Sequence, residues 1–476
     1  MSLTSRGERA LSPADTSALL RVLALADDLS GAAETAAELR VPSRIVLDAA
    51  APLPRARAVV VDLHSRRLPA EAAARAVRAA LAAPRAPGTV LFKKVDSLLR
   101  GNFAAQALAY AAGARAVVIA PALPVAGRTV RDQVVHLNGV PLHVTAAWRA
   151  EPRPAPRSVT EALAIGAQAT GHTPGAPGDG DGPAGTERQC TPSGLRTPPA
   201  ASNDQYANDG AQAERHSAAA GLRTLPVPLA TVRAGIGMLS QRLGAIAELG
   251  RHPLCDAETD ADLDAIAAAT LRLGSGFRLL GTGGLAGALG RLLGDAKARS
   301  AHTPETPSLP APTGTAASGA RPLLVVVGTA EPTAAAQIAQ LVALGAWHVP
   351  LDPAALEDMT LPPAPIPLSP GAVTVISIDN SRSFRSSSAH HVASGLARTV
   401  AAQTPACDLV LTGGETARNV LDAVGVAELT PVGQVHHGAV RLRTPDGRSV
   451  VTRPGSYGGE DSLLRIARAL RPDAGF

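Results

Sequence analysis

Lysine is nearly absent from this chain of 476 residues. Lys93, Lys94 and Lys297 are its only three, and the other 42 of the 45 Lys+Arg residues are arginine. Cysteine is as scarce: Cys190, Cys255 and Cys407 are far apart and odd in number. That excludes a disulfide framework and zinc-ligand spacing, and it fits a reducing cytoplasm. Aromatic residues make up 2% of the chain, and the arginines are scattered with no dense run. The formal charge of +5 and the pI near 9.5 therefore do not point to nucleic acid. Long apolar runs are missing too, and the opening "MSLTSRGERALSPADTSALL" lacks the apolar core of a secretory signal. The expectation is a cytoplasmic protein with no membrane and no nucleic-acid partner.

Hydrophobic residues, much of them alanine, amount to 46%, and this length calls for two or three domains. From Leu20, short β-type runs alternate with alanine-rich helical stretches: "LLRVLALADD" then "SGAAETAAELR", "ARAVVVDLHSR" then "PAEAAARAVRAALAA", "GTVLFKKVDS" then "FAAQALAYAAGA", with "ARAVVIAPALP" after them. Strand and helix at this spacing predict βαβ units and a parallel sheet. Thr170 to Ala220 is rich in Gly, Pro, Ser, Thr, Asn and Asp and reads as a low-complexity insertion. A Pro/Ala/Thr-rich segment, Ser300 to Ala320, reads as a linker. The fold class expected is α/β, in two domains. Each is a mainly parallel sheet with helices on both faces, and the active site lies in the cleft between them. Residues 20–280 would form the first domain and 281–476 the second.

Parallel sheets place ligands beyond the carboxyl ends of their strands. Four strand ends of the first half carry polar groups there: Asp27 and Asp28 after "VLALA", His64 to Arg66 after "VVVDL", Lys93 to Arg100 after "TVLF", and Gly127 to Gln133 after "AVVIAPALP". An ammonium differs from a guanidinium in reach and hydration. Two of three lysines meeting at one strand exit therefore argue for a job that arginine cannot do. Of the two aspartates, one is expected to cap the next helix and the other to face the cleft.

In the second half, glycine clusters "GTGGLAGALG" from Gly281, "GTAEPT" from Gly328 and "TGGET" from Thr412 each connect a strand to a helix, and "RPGSYGG" follows from Arg453. Glycines let backbone approach an anion, and the free N–H groups of a helix start then bind it. Neither the GxxxxGK[ST] loop nor a GxGxxG fingerprint is present. One domain holding a small anion and another cradling phosphates describes a small-molecule kinase.

"ALADDLSGAAETA", "FKKVDSLLRGN", "APALPVAGRTV", "GTGGLAGAL", "LTGGETARNVL" and "VTRPGSYGGEDSL" resemble, in the same order, the motifs of the four-carbon acid sugar kinases, from about Arg21 to Leu470. The resemblance implies ATP- and Mg2+-dependent phosphorylation of the terminal hydroxyl of threonate, erythronate or a 2-oxo-tetronate. Carried over by motif, it puts Asp27, Arg66, Lys94, Val95, Asp96, Ser97 and Arg100 at the substrate. It puts Thr282, Gly413, Gly414, Glu415, Thr416 and Gly455 at ATP, and names no metal ligand. Lys94 and Arg100 would bind the acid's carboxylate, with Arg66 orienting it. Asp96 or Asp27 would take the hydroxyl proton, and the two stay undecided at this point. Thr282 stands for the family's usual serine, Glu415 for aspartate, Arg453 for lysine and Leu98 for threonine. A kinase of another small hydroxy acid and a non-catalytic ligand-sensing relative stay open, as does a homo-oligomer.

Other conspicuous residues get bland readings. His136 and His143 are structural or surface residues, His436 and His437 lie in a loop, Asn138-Gly139 is a turn, and Cys255 and Cys407 are buried small hydrophobes.

Overall fold

The computed structural model describes residues 21–149, 151, 153–164, 221–300, 321–328, 332–379, 389–403, 407–455 and 458–472. The low-complexity insertion, the Pro/Ala/Thr-rich stretch beyond Ser300, and Cys190 lie outside the described residues.

The apolar runs predict β1 (Val22–Ala26), β3 (Ala58–Asp62), β4 (Val90–Lys94) and β5 (Ala116–Ala120), and the short β2 (Ser43–Val46), which no such run marks, joins them. A small antiparallel sheet follows, of β6 (Arg128–Arg131), β7 (Val134–Leu137) and β8 (Val140–Pro141). Its β7–β8 turn is Asn138-Gly139, with φ of 49° and 84°, the left-handed pair that a tight hairpin needs. Next come β9 (Thr224–Val227), β10 (His252–Cys255) and β11 (Phe277–Gly281). The remaining strands are β12 (Leu323–Val327), β13 (Trp347–Leu351), β14 (Val373–Ile378), β15 (Asp408–Thr412), β16 (Glu428–His436), β17 (Ala439–Arg443) and β18 (Ser449–Arg453).

Apart from the small sheet, the strands form one 15-stranded sheet, in the order β13-β14-β12-β15-β18-β17-β16-β2-β3-β1-β4-β11-β5-β10-β9. Two parallel runs, β13 to β18 and β2 to β9, are joined by antiparallel strands. The junction is short: Glu428 pairs with Val46, and Leu429 with Ile45. β1, β3, β5, β12 and β15 are buried at every residue, as strands covered on both faces must be.

Five helices position the site: α1 (Leu29–Glu38), α2 (Phe103–Ala111), α3 (Asp260–Leu271), α4 (Gly283–Ser300) and α5 (Gly414–Ala423). Helix α3 carries the acidic first turn its sequence predicts, with Thr259 and Asp262 in a capping box. Helix α4 follows β11 and packs on α1 and α3, so "GTGGLAGALG" sits with the first strand run. His436 ends β16 and contacts the Ser462 hydroxyl at 2.9 Å, where the sequence predicts a loop. Cys255 and Cys407 are buried and free. Among the described residues, no helix is long and apolar enough to cross a membrane.

Candidate active site

The carboxyl ends of β3, β1 and β4, neighbours in the sheet, bring their polar residues into one buried cluster. Arg66 is at its centre. Its Nε lies 2.9 Å from Asp27 Oδ2, Nη1 2.8 Å from Asp28 Oδ2, and Nη2 3.6 Å from Asp96 Oδ1. The two aspartates divide the work the sequence left open between them. Asp28 is the N-cap of α1, extended at φ −144° and accepting the Gly31 N–H at 2.8 Å. Asp27 is 3% exposed, and its Oδ1 has no hydrogen-bond partner.

Asp96 is fully engaged. It takes Arg100 Nε at 2.9 Å and Nη2 at 2.8 Å, and the backbone N–H groups of Leu98 and Arg100 at 3.0 and 3.3 Å. Burial works to raise its pKa, but Arg100 and Arg66 outweigh that and hold it well below the usual carboxylate range. Asp27 is lowered on the same balance: burial opposes, while Arg66, Lys93 and Lys94 prevail. For Asp28 burial prevails over Arg66, and with Asp27 alongside its pKa is raised.

The lysines part company. Lys94 Nζ is 3.1 Å from Glu34 Oε2 on α1. A Cβ on Gly31 would come 2.8 Å from Asp28 Oδ1 and 3.2 Å from that ammonium, so a side chain there would press on the helix cap and the ion pair. Lys93 is wholly buried, and its Nζ donates to the Lys94 carbonyl at 2.7 Å. Burial pushes Lys93 down to about 8 against the pull of Asp27. Lys94 stays raised, because Glu34 and the aspartates outweigh its burial. Lys93, not Lys94, lines a small cavity together with Asp27, Asp96, Arg100, Phe103 and Gln106; Val95, also expected at the substrate, lies on the same wall. The Ser97 hydroxyl is bound by Arg128 from β6.

The second-half residues gather at the start of α5. Gly413 is its N-cap, at φ 93° and with no side-chain cap, which leaves the first-turn N–H groups open for an anion. Cβ atoms on Gly414 and Gly328 would strike Asp28 Oδ2 at 2.6 Å and the Thr416 hydroxyl at 2.1 Å. The hydroxyls of Thr412 and Thr452 are buried without partners. Gly455 is in the turn after β18. Glu415 reaches across to Arg67 at 2.8 Å, and Arg418 of the same helix reaches Asp62 Oδ2 at 3.0 Å. Thr282 is not part of this group: it is wholly buried, bonds the Ala122 carbonyl and caps α4 through the Gly284 N–H.

Motif reading does not single out Glu34, Gln106, Asp62 or Arg418, and it includes Arg128 only within the polar strand end Gly127 to Gln133. The one available signal was a polar residue set among alanines, as in "GAAETAAE" and "FAAQALAYA".

A parallel-sheet cluster of charge facing an open glycine-capped helix start is an arrangement suited to phosphoryl transfer. Comparison with known proteins agrees. Residues 22–172 match the model of a sugar-binding N-terminal domain, and residues 369–463 that of a nucleotide-binding C-terminal domain. A D-threonate kinase of Cupriavidus necator is 30% identical over 94% of this chain and 97% of its own length. A D-threonate kinase of Bordetella bronchiseptica is 29% identical over 94% and 96%. Among solved structures, a Salmonella typhimurium LT2 protein described as a tRNA synthase superposes with a TM-score of 0.65 at 19% identity, covering 94% of this chain and 99% of its own. A Haemophilus influenzae protein does so with a TM-score of 0.59 at 18% identity and the same coverage; both show the fold alone. The chain belongs to the four-carbon acid sugar kinase family, and it is a phosphotransferase acting on a sugar acid.

Proposed function

We propose that the chain transfers the γ-phosphoryl group of ATP to the terminal hydroxyl of a four-carbon sugar acid, with D-threonate the first to test because the relatives above carry that name. The observation that carries the reading is Asp27 Oδ1, a buried carboxylate oxygen without a partner on the wall of a cavity that also holds Lys93 and Arg100. Asp96 Oδ2 is taken by Arg100 Nε and two backbone N–H groups, and its Oδ1 by Arg100 Nη2, whereas Asp27 Oδ1 has no partner. Asp27 is therefore the carboxylate that accepts the attacking hydroxyl's proton, and Asp96 fixes Arg100 and Arg66. Lys93 and Arg100 hold the acid's carboxylate, point charge beside planar fork. Lys94, tied to Glu34, supports the strand end and adds positive potential. Val95 completes the substrate wall, and Ser97, held by Arg128, stands next to Asp96.

The residues around α5 fit a nucleotide. Its open first turn, the unpartnered Thr412 and Thr452 hydroxyls, and glycines where any Cβ would collide make a cradle for phosphate oxygens. Gly413, Gly414, Thr416 and Gly455 would line it, while Glu415 ties it to Arg67. Mg2+ is held mostly by phosphates and water with one or two carboxylates, and Asp28, facing Gly414, is the carboxylate in place. When bound, the ion neutralises phosphate charge. The sugar-binding unit in this reading runs through α4, and the nucleotide unit begins at β12.

The test is ADP release with ATP and Mg2+ against D- and L-threonate, D- and L-erythronate and the 2-oxo-tetronates. Turnover on one acid, with Asp27→Asn lowering kcat on the order of 10²- to 10⁴-fold, is the expected result. Asp27→Asn turning over like wild type would remove Asp27 as the base, and an inert panel would remove the substrate class.

A further inference from the structure

Gln106 has no place in the mechanism above, yet it is one of the least accessible polar side chains in the molecule. It sits in the first half of α2 at 2% exposure, and its Oε1 has no hydrogen-bond partner. Burying an amide without a partner is costly, and native proteins rarely tolerate it without a reason. Its neighbours at Ala104, Ala107 and Ala109 are small and apolar, so packing alone would be served by leucine or methionine. Gln106 lines the same cavity as Asp27, Lys93, Asp96, Arg100 and Phe103. The two residues that carry buried oxygens without partners, Gln106 with its Oε1 and Asp27 with its Oδ1, thus line one space. That space measures about 190 Å³ including its mouth. Its enclosed part is about 10 Å³, the room of about one water, so this wall can meet one hydroxyl of a ligand without enclosing the whole molecule.

The cavity's other polar groups are all charged. Lys93 and Arg100 suit a carboxylate, and Asp27 suits the hydroxyl that reacts. The internal hydroxyls of a four-carbon acid need a neutral group offering both donor and acceptor, and the carboxamide of Gln106 is the one on this wall. We propose that Gln106 is a specificity-determining residue, hydrogen-bonding an internal hydroxyl of the sugar acid and setting which configuration is accepted. The assignment rests on the kinase reading of the same site. A pocket built to bond a hydroxyl discriminates strongly against an isomer that leaves the buried amide unpaired.

Gln106→Met keeps the length of the side chain and removes the amide, and Gln106→Glu keeps the size and acceptors but removes the donor. Each variant, once its melting is shown to match the wild type, is assayed with ATP on the threonate and erythronate isomers. For Gln106→Met, kcat/KM for the preferred acid is expected to fall about 10- to 100-fold, the preference over its epimer to shrink by a similar factor, and KM for ATP to stay within twofold. Should Gln106→Met not fold, Gln106→Glu is expected to shift the epimer ratio in its place. An unchanged epimer ratio in a folded variant of an active enzyme would overturn the Gln106 assignment and leave the kinase reading intact. Wild-type inactivity on every acid would overturn both.

Discussion

Lys93 and Lys94 are adjacent in sequence and opposite in electrostatics, because consecutive side chains of a strand point to opposite faces. Lys94 meets Glu34 and keeps its proton firmly. Lys93 donates to a backbone carbonyl, and burial prevails over the pull of Asp27 to hold it near 8. If Lys93 holds the acid's carboxylate, it must be charged to do so, and its charged fraction falls as pH rises through about 8. kcat/KM for the acid should therefore decline above pH 8, approaching tenfold per pH unit. Lys93→Met should lower it about 100-fold at pH 7 and flatten that limb. A wild-type profile level from pH 7 to 9.5 would count against the role. The scarcity of lysine marked this pair as special in the sequence; which of the two faces the cavity depends on the strand's setting in the sheet.

Helix α5 is the element that couples the two halves. Its first turn is the proposed phosphate cradle, and one turn further along Arg418 bonds Asp62 at the end of β3 while pairing with Asp422 on its own helix. Asp62 is 1% exposed and pushed up to about 6, mainly by burial. Arg418 and the His64 N–H oppose that, and Asp28 adds to it. Because the folded value exceeds the ordinary carboxylate value, folding takes up a proton between the two. The stability that Asp62 contributes is complete in acid and is lost as pH rises through about 6. Asp62→Asn, which stays neutral, should be more stable than wild type at pH 8 by roughly 2–3 kcal/mol and nearly equal to it at pH 4. Arg418→Met, which leaves Asp62 without its cation, should cost about 3 kcal/mol at pH 8. Urea unfolding at the two pH values checks both, and Asp62→Asn less stable than wild type at pH 8 would mean the ion pair outweighs its own desolvation.

At the scale of the molecule, the two parallel runs are one sheet by virtue of two residue pairs between β16 and β2. Leu429, at 0% exposure, sits in that junction opposite Ile45. Leu429→Ala should destabilise the protein by roughly 2–5 kcal/mol, and a cooperative junction implies that both halves melt together. Following Trp347, in the second run, against Trp148, in the first, would show it; separated transitions already present in the wild type would mean that the junction does not couple them.

Local pattern determined a good deal here. The alternation of apolar runs with alanine-rich stretches marks β1, β3, β4, β5 and the helices between them, since strand and helix periods are properties of a few consecutive residues. Asn138-Gly139 marks its turn for the same reason, and the strand-end charges mark the edge where the cluster forms. The short β2 and the antiparallel β16 to β18 leave no such mark, because their strand character comes from partners far away in the chain. The sequence also holds Thr282 and Gly413 as equivalent glycine-rich helix starts. Only the assembled sheet separates them, enclosing Thr282 beside β5 and leaving the start of α5 open. The division of labour between Asp27 and Asp28, the pairing of Asp96 with Arg100, and the burial of Gln106 against the cavity belong to the same class. Each depends on which groups from other strands and helices arrive within about 3 Å, and that is decided by the tertiary structure alone.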